Sequence, residues 1–180
     1  MPWERLVTGK AKQSMQPVGA RDALLLILGS LPGEMSLAAS RYYAHPQNQF
    51  WRLLGAAISE PLATLDYDRR LEVLAERGIA LWDVVGEARR EGSLDGALRS
   101  VRANPLGEFV TAHPRLRAIA FNGKTAARLG RRAIGDGAVP LLIDLPSSSP
   151  AYTLSIDRKL AQWQALGGLA LPSKAATLGK

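Results

Sequence analysis

Three short apolar runs constrain this chain most: residues 23–28 (ALLLIL), 116–121 (LRAIAF) and 139–143 (VPLLI). The first is apolar at every position, so it reads as a strand buried on both faces, as in a parallel sheet. Each run stops where a strand would break: at Gly29, at the pair Asn122 and Gly123, and at Asp144 just before Pro146. Between the runs the apolar spacing becomes helical. Residues 48–59 carry Phe50, Leu53, Leu54, Ala57 and Ile58 at that spacing. Residues 68–77 repeat it with Leu71, Leu74 and Ala75, and Gly78 ends the run. Residues 79–85 give a further short strand. Residues 93–102 predict a helix capped by Ser93, and Pro105 opens another that ends near His113. Residues 124–134 and 152–166 complete the set of helices. Strands alternating with helices predict parallel strands in an α/β, three-layer α/β/α sandwich.

With 180 residues the chain is long enough for one domain with a real core. Residues 1–20, with Pro2, Gly9, Pro17 and Gly19, read as a flexible arm, 21–167 as the single domain, and 168–180 as a fraying tail. The absence of cysteine excludes disulfides, thiolate catalysis and iron–sulfur clusters. Two histidines, His45 and His113, argue against a histidine-rich metal site. No long apolar run opens the chain, so a cytoplasmic protein with no membrane contact is expected. The net charge of +7 favours a polyanionic partner. Residues 111–132 contain no acid but carry Arg115, Arg117, Lys124, Arg128, Arg131 and Arg132. A solvated helix face accounts for that stretch equally well.

In open α/β sheets ligands bind at the carboxyl ends of the strands. Three polar loops leave such ends, and their convergence carries more weight than any one of them. The first, Gly29, Ser30, Leu31, Pro32 and Gly33, lets backbone approach a ligand. It fits neither a Walker A loop nor a dinucleotide fingerprint, and alone it reads as a strand-ending turn. The segment YYAHPQNQFW that follows offers rings and amides, among them Tyr43, His45 and Asn48. A ring face supports a base by stacking, worth roughly 1–3 kcal/mol in nucleic-acid complexes, and an amide can read a base edge or hold a water. Phe50 and Trp51 read as core, and helix capping competes for Asn48. Asn122 is either a turn residue or an amide aimed into the site. Ser147, Ser148 and Ser149, stiffened by Pro146 and Pro150, suit phosphate oxygens. Glu34, Asp83 and Asp144 are the carboxylates near these loops; Asp144 ends a strand and could orient a loop or hold a water, and nothing in the sequence raises it above that.

GSLPG at residues 29–33, YAHPQNQFW at 43–51, FNGK at 121–124 and LPSSSPA at 145–151 together resemble the motifs of the uracil-DNA glycosylase superfamily, in particular its hypoxanthine-DNA (deoxyinosine) glycosylase branch. The resemblance runs in order across residues 25–166. It implies a central four-stranded parallel sheet between helices. It implies an enzyme that flips a damaged base from double- or single-stranded DNA and cleaves the N-glycosidic bond, with no metal or other cofactor, as a monomer. By position, Tyr43 would stack on the base, with Gly29, Ser30, Leu31, Pro32, Gly33 and His45 around it. Asn48 and Asn122 would serve the base and the attacking water. Lys124, Ser147, Ser148, Ser149 and Pro150 would meet the DNA. The mismatch-specific relatives place a water-activating Asn where this chain has Leu31, so another amide must act, Asn48 first and Asn122 second. That departure favours the hypoxanthine branch. A non-catalytic lesion sensor on the same fold and a small-molecule nucleoside hydrolase are the rivals.

Overall fold

The computed structural model describes residues 9–136 and 140–173. Its strands are β1 (Lys10–Gln13), β2 (Val18–Gly19), β3 (Leu25–Gly29), β4 (Ile79–Asp83), β5 (Val85–Arg90), β6 (Arg99–Ala103), β7 (Ala118–Asn122) and β8 (Leu141–Leu145). Its α-helices are α1 (Glu34–Ala39), α2 (Phe50–Ile58), α3 (Tyr67–Glu76), α4 (Leu106–Ala112), α5 (Lys124–Ile134) and α6 (Ile156–Trp163), and a 3-10 turn, Gln164–Leu169, extends α6.

The larger sheet runs β2-β4-β3-β7-β8. Its last four strands are parallel, and β2 adds two antiparallel residues at the edge. Strand β3 sits at the centre with every residue buried, which is why its sequence shows no alternation. Leu25 and Ile27 face one core, with Phe50 and Leu53 of α2, Leu74 of α3 and Trp163 of α6. Leu26 and Leu28 face the other, with Leu106 of α4 and Ala126, Ala127 and Ile134 of α5. Each such aliphatic side chain contributes roughly 1.5–3 kcal/mol by leaving water, so both layers are held by the strand they share. Asp66 caps α3 by accepting from the Arg69 N–H at 2.9 Å, and Gly78, at φ +70°, turns the chain out of that helix into β4.

Three expectations change. The helix expected over residues 93–102 is a single 3-10 turn, Asp95–Ala97, followed by β6. Leu94, Leu98 and Val101 mimic a helical stripe, but Leu94 and Val101 are exposed and only Leu98 packs, against Leu31, Val85 and Ala88. A stripe with nothing to bury it does not hold a short helix. The arm expected over residues 1–20 is tied down in its described part, because β1 pairs with β5 and β2 with β4. Residues 1–8 and 174–180, with the rest of the arm and of the tail, lie outside the described residues. Finally, α6 begins at Ile156, so residues 152–155 belong to the loop before it. The strand expected over 139–143 is described from Leu141 onward.

The second sheet, β1-β5-β6, is antiparallel throughout. It stands beside the carboxyl end of β4, and β6 is exposed along its whole length. Among the described residues no helix is long and apolar enough to cross a membrane.

Candidate active site

The carboxyl ends of β3, β4 and β7 open into one cavity of about 450 Å³, within the roughly 300–1,000 Å³ of small-molecule sites. It is lined by the Gly29–Gly33 loop, Tyr42, Tyr43, His45, Asn48, Asp83, Asn122 and the loop from Ser147 to Tyr152. Ser93, Leu94 and Asp95, from the connection between β5 and β6, complete the rim.

The first loop is fixed from behind. Arg90, fully buried, donates from Nη1 to the Leu31 carbonyl at 3.3 Å and from Nη2 to the Pro32 carbonyl. The Ser30 hydroxyl donates to Asp95 Oδ1 at 2.6 Å. Leu31 packs against Val85 and Ala88, so the residue that cannot orient a water anchors the loop to the second sheet. Gly29 packs closely against two polar side chains. A Cβ there would lie 2.7 Å from Asp83 Oδ1 and 3.0 Å from Tyr43 Oη.

Tyr43 stacks on Phe50 with ring centroids 3.7 Å apart and planes 7° from parallel. Its backbone has φ +53°, a strained conformation for a bulky residue. Neighbouring bonds hold it there: Tyr42 Oη donates to the Gln16 carbonyl at 3.0 Å, and the Ala44 N–H donates to Ser36 Oγ at 3.1 Å. The Tyr43 hydroxyl is buried with no hydrogen-bond partner among the described residues. Burial, and then the Asp83 charge, push its pKa up, so it stays neutral.

Asn48 accepts from the Phe50 N–H at 3.0 Å through Oδ1. That bond closes a turn onto the first residue of α2, whose cap is Gln49, and sets the amide's orientation at the cavity wall. The Asn122 amide makes two bonds to one residue. Its Oδ1 accepts from the Ser148 N–H at 2.9 Å and its Nδ2 donates to Ser148 Oγ at 2.8 Å. The Ser148 carbonyl accepts from the Gln49 N–H at 3.0 Å. Trp163 Nε1 donates to the Pro146 carbonyl at 3.0 Å, and Lys159, buried, donates to Gln49 Oε1 at 2.9 Å. The serine loop is thus clamped to β7, α2 and α6.

Asp83 ends β4 beside Gly29. It is 3% exposed, and among the described residues it forms no ion pair. Burial raises its carboxyl to a pKa of about 7. Burial also raises Asp95, against the lowering pull of its bond from Ser30 and of the Arg90 charge.

The family model of the Uracil DNA glycosylase superfamily matches residues 16–167. The chain belongs to that superfamily. Within this superfamily it is 38% identical over 154 residues to the hypoxanthine DNA glycosylase of Methanosarcina barkeri, covering 84% of this chain and 95% of the relative. It is 37% identical over 155 residues to the hypoxanthine DNA glycosylase of Methanosarcina acetivorans, covering 86% and 97%. The solution structure of a candidate uracil DNA glycosylase from Methanosarcina acetivorans superimposes with a TM-score of 0.78 at 35% identity, over 89% of this chain and 99% of that one. The α/β fold and the glycosylase family expected from the motifs are both shown.

The cavity gathers Gly29, Ser30, Leu31, Pro32, Gly33, Tyr43, His45, Asn48, Asn122, Ser147, Ser148, Ser149 and Pro150. Lys124 stands outside it, exposed at the start of α5. Two placements bear on the expected roles. Ser148 is completely buried and bonded, so it shapes the loop from inside, and only Ser147 and Ser149 keep partial exposure. Asn122 bonds Ser148 through one donor and one acceptor of its amide. Asp95 was hidden because residues 93–102 resembled a helix, and Arg90 because nothing in the sequence marks which of Arg89 and Arg90 turns inward. The sequence reading counted Asp83 among three carboxylates without separating it. Asp83's place at the end of an apolar strand was the usable signal.

Proposed function

We propose that this chain is a monofunctional glycosylase that flips a deaminated base, hypoxanthine before uracil, from DNA into the cavity and hydrolyses its N-glycosidic bond. The carrying observation is that Tyr43, backed by Phe50, and Asn48, oriented by the Phe50 N–H, line one cavity at the strand ends. A ring already stacked and held at a positive φ is a preorganised platform for the base. Asn48 has an acceptor lone pair and an NH2 group beyond its bond to the Phe50 N–H, enough to orient a water. The base leaves as an anion while the sugar becomes cationic, so fixed donors and dipoles do most of the work and no strong base is needed. Flipping costs a few kcal/mol, least for a poorly paired base.

Asn122 serves by holding the serine loop, from which Ser147, Ser149 and Pro150 meet the DNA backbone. Lys124 lies beside that loop, since a Cβ on Gly123 would meet Ser147 Cβ at 3.1 Å. The names of the two Methanosarcina relatives support hypoxanthine as the base.

The test incubates the protein, with chelator, with duplex and single-stranded DNA carrying inosine, uracil or xanthine, and with free deoxyinosine, and then cleaves abasic sites with alkali. Strand breaks at inosine are expected. Binding without release would instead mark a lesion sensor, and release from free deoxyinosine alone a nucleoside hydrolase.

A further inference from the structure

Resting on the glycosylase reading, we propose that Asp83 is the specificity determinant of the pocket: its Oδ1 accepts the ring N–H that deamination creates next to the new carbonyl. Adenine carries a lone pair at N1, and its deamination product carries N1–H beside C6=O. A fixed acceptor facing that edge attracts the product and repels adenine. Guanine shares the N1–H, so Asp83 separates hypoxanthine from adenine and leaves guanine to its strong pairing in the duplex.

The geometry places the acceptor there. Asp83 lines the cavity, and its Oδ1 sits where a Cβ on Gly29 would crowd it at 2.7 Å. The buried, unpartnered Tyr43 hydroxyl converges on the same point. Oδ2 is turned the other way, 3.0 Å from Ser14 Oγ. That serine oxygen also lies 3.2 Å from the Met15 carbonyl. A hydroxyl has one hydrogen and cannot donate to both. With a proton on Asp83 Oδ2, the acid donates to Ser14 and Ser14 donates to Met15, and each contact has its own hydrogen. Oδ1 is then left as a neutral carbonyl acceptor facing the cavity.

Neutrality also matters for the reaction. The departing base gathers negative charge, which an ionised neighbour would oppose. The groups facing Asp83 are consistent with a neutral acid. Tyr42 and Tyr43 are held neutral by burial. The Asp95 charge raises Asp83 further, while Ser14, Arg90 and Tyr42 pull it down. Arg90, the cation among them, is directed at the Leu31 and Pro32 carbonyls. Burial prevails, and the carboxyl titrates near pH 7.

The experiment compares wild type, Asp83→Asn and Asp83→Ala in single-turnover cleavage of an inosine duplex from pH 5.5 to 9, alongside binding to duplexes holding a non-cleavable 2′-fluoroarabino-inosine or its adenosine counterpart. Wild-type cleavage should fall as pH rises through about 7. Asp83→Asn keeps a neutral acceptor and should lose that fall. Asp83→Ala should lose at least tenfold of the inosine-over-adenosine binding preference at pH 6. Melting temperatures separate folding from recognition. A folded carboxyl raised above its unfolded value costs stability as pH rises from about 4 to about 7. Asp83→Asn should therefore gain on wild type across that window and hold the gain above it. An unchanged binding preference in folded Asp83→Ala, or the same alkaline fall in Asp83→Asn, overturns the proposal. If wild type releases no base, the glycosylase reading fails, and the binding preference still decides the role of Asp83.

Discussion

The two sheets meet at the same cavity but serve it in opposite ways. The parallel sheet supplies the floor directly, through Gly29, Asp83 and Asn122 at the ends of β3, β4 and β7. The antiparallel sheet lends only the connection Ser93–Asp95 to the rim and acts mainly from behind, through Arg90 and the apolar contact of Val85 and Ala88 with Leu31. A site on rigid strand ends still needs its loops held. The first loop is held from outside the sandwich by Arg90, and the serine loop from within it by Asn122, α2 and α6.

Removing Arg90 should have the largest effect. Arg90→Leu strips donors from two loop carbonyls in a buried setting, and lost bonds to a charged group cost about 1.5–3 kcal/mol each. The expected outcome is a loss of about 3 kcal/mol in chemical denaturation and a fall in cleavage that stabilising conditions do not restore. Full cleavage by a destabilised variant would make the second sheet a support for stability alone.

Next in size is the clamp from the parallel sheet. Asn122→Ala removes both bonds to Ser148 and leaves a buried N–H unpaired, a cost of about 2 kcal/mol. DNA affinity should fall with it, because Ser147 and Ser149 lose their fixed positions. If cleavage vanishes while the melting temperature and DNA binding hold, Asn122 acts on the water after all, and the order of the two asparagines reverses.

The same contrast explains what could be read in the sequence. Strand β3 announces itself because burial on both faces demands apolar residues at every position. Helices α2, α3, α5 and α6 announce themselves because each buries one stripe, whereas α1, which buries only Ser36, does not. Tyr43 and Asn48 stood out through their neighbours in YYAHPQNQFW. The second sheet gave no such signal. Its strand β6, RSVRA, is exposed throughout, so no burial pattern is imposed on it, and Leu94, Leu98 and Val101 fall at helical spacing by coincidence. Arg90 could not be picked from the pair Arg89 and Arg90, since only pairing with β1 and β6 decides which of them turns inward. The roles of Asn122 and Ser148 were hidden for a related reason: an amide in an Asn-Gly turn and one serine of three look the same whether they face a ligand or each other.

Asn48→Ala tests the cavity wall itself. The turn bond to the Phe50 N–H is partly exposed, so the loss of stability should be near 1 kcal/mol. Single-turnover cleavage should fall at least tenfold, about 1.4 kcal/mol of transition-state stabilisation, with DNA binding retained. Near wild-type cleavage would remove Asn48 from the mechanism and leave the water to the parallel-sheet floor.

The smallest effect belongs to Lys124, which touches neither the cavity nor the second sheet. It is exposed at the start of α5, next to the serine loop, with Arg128 exposed one turn further along the helix. If this end of the parallel sheet is where DNA lies, Lys124 neutralises one phosphate. Lys124→Ala should then weaken binding only a few-fold at low salt and reduce the slope of log affinity against log salt by about one, with cleavage at saturating protein unchanged. An unchanged slope would move the DNA path to the neighbouring cleft, where Arg41, Arg52 and Arg70 stand with Tyr43 and Asn48 between the two cavities. There Arg70 is already bonded to the Leu62 carbonyl and packs over the Trp51 ring. Arg41 and Arg52 would be the phosphate contacts to remove instead.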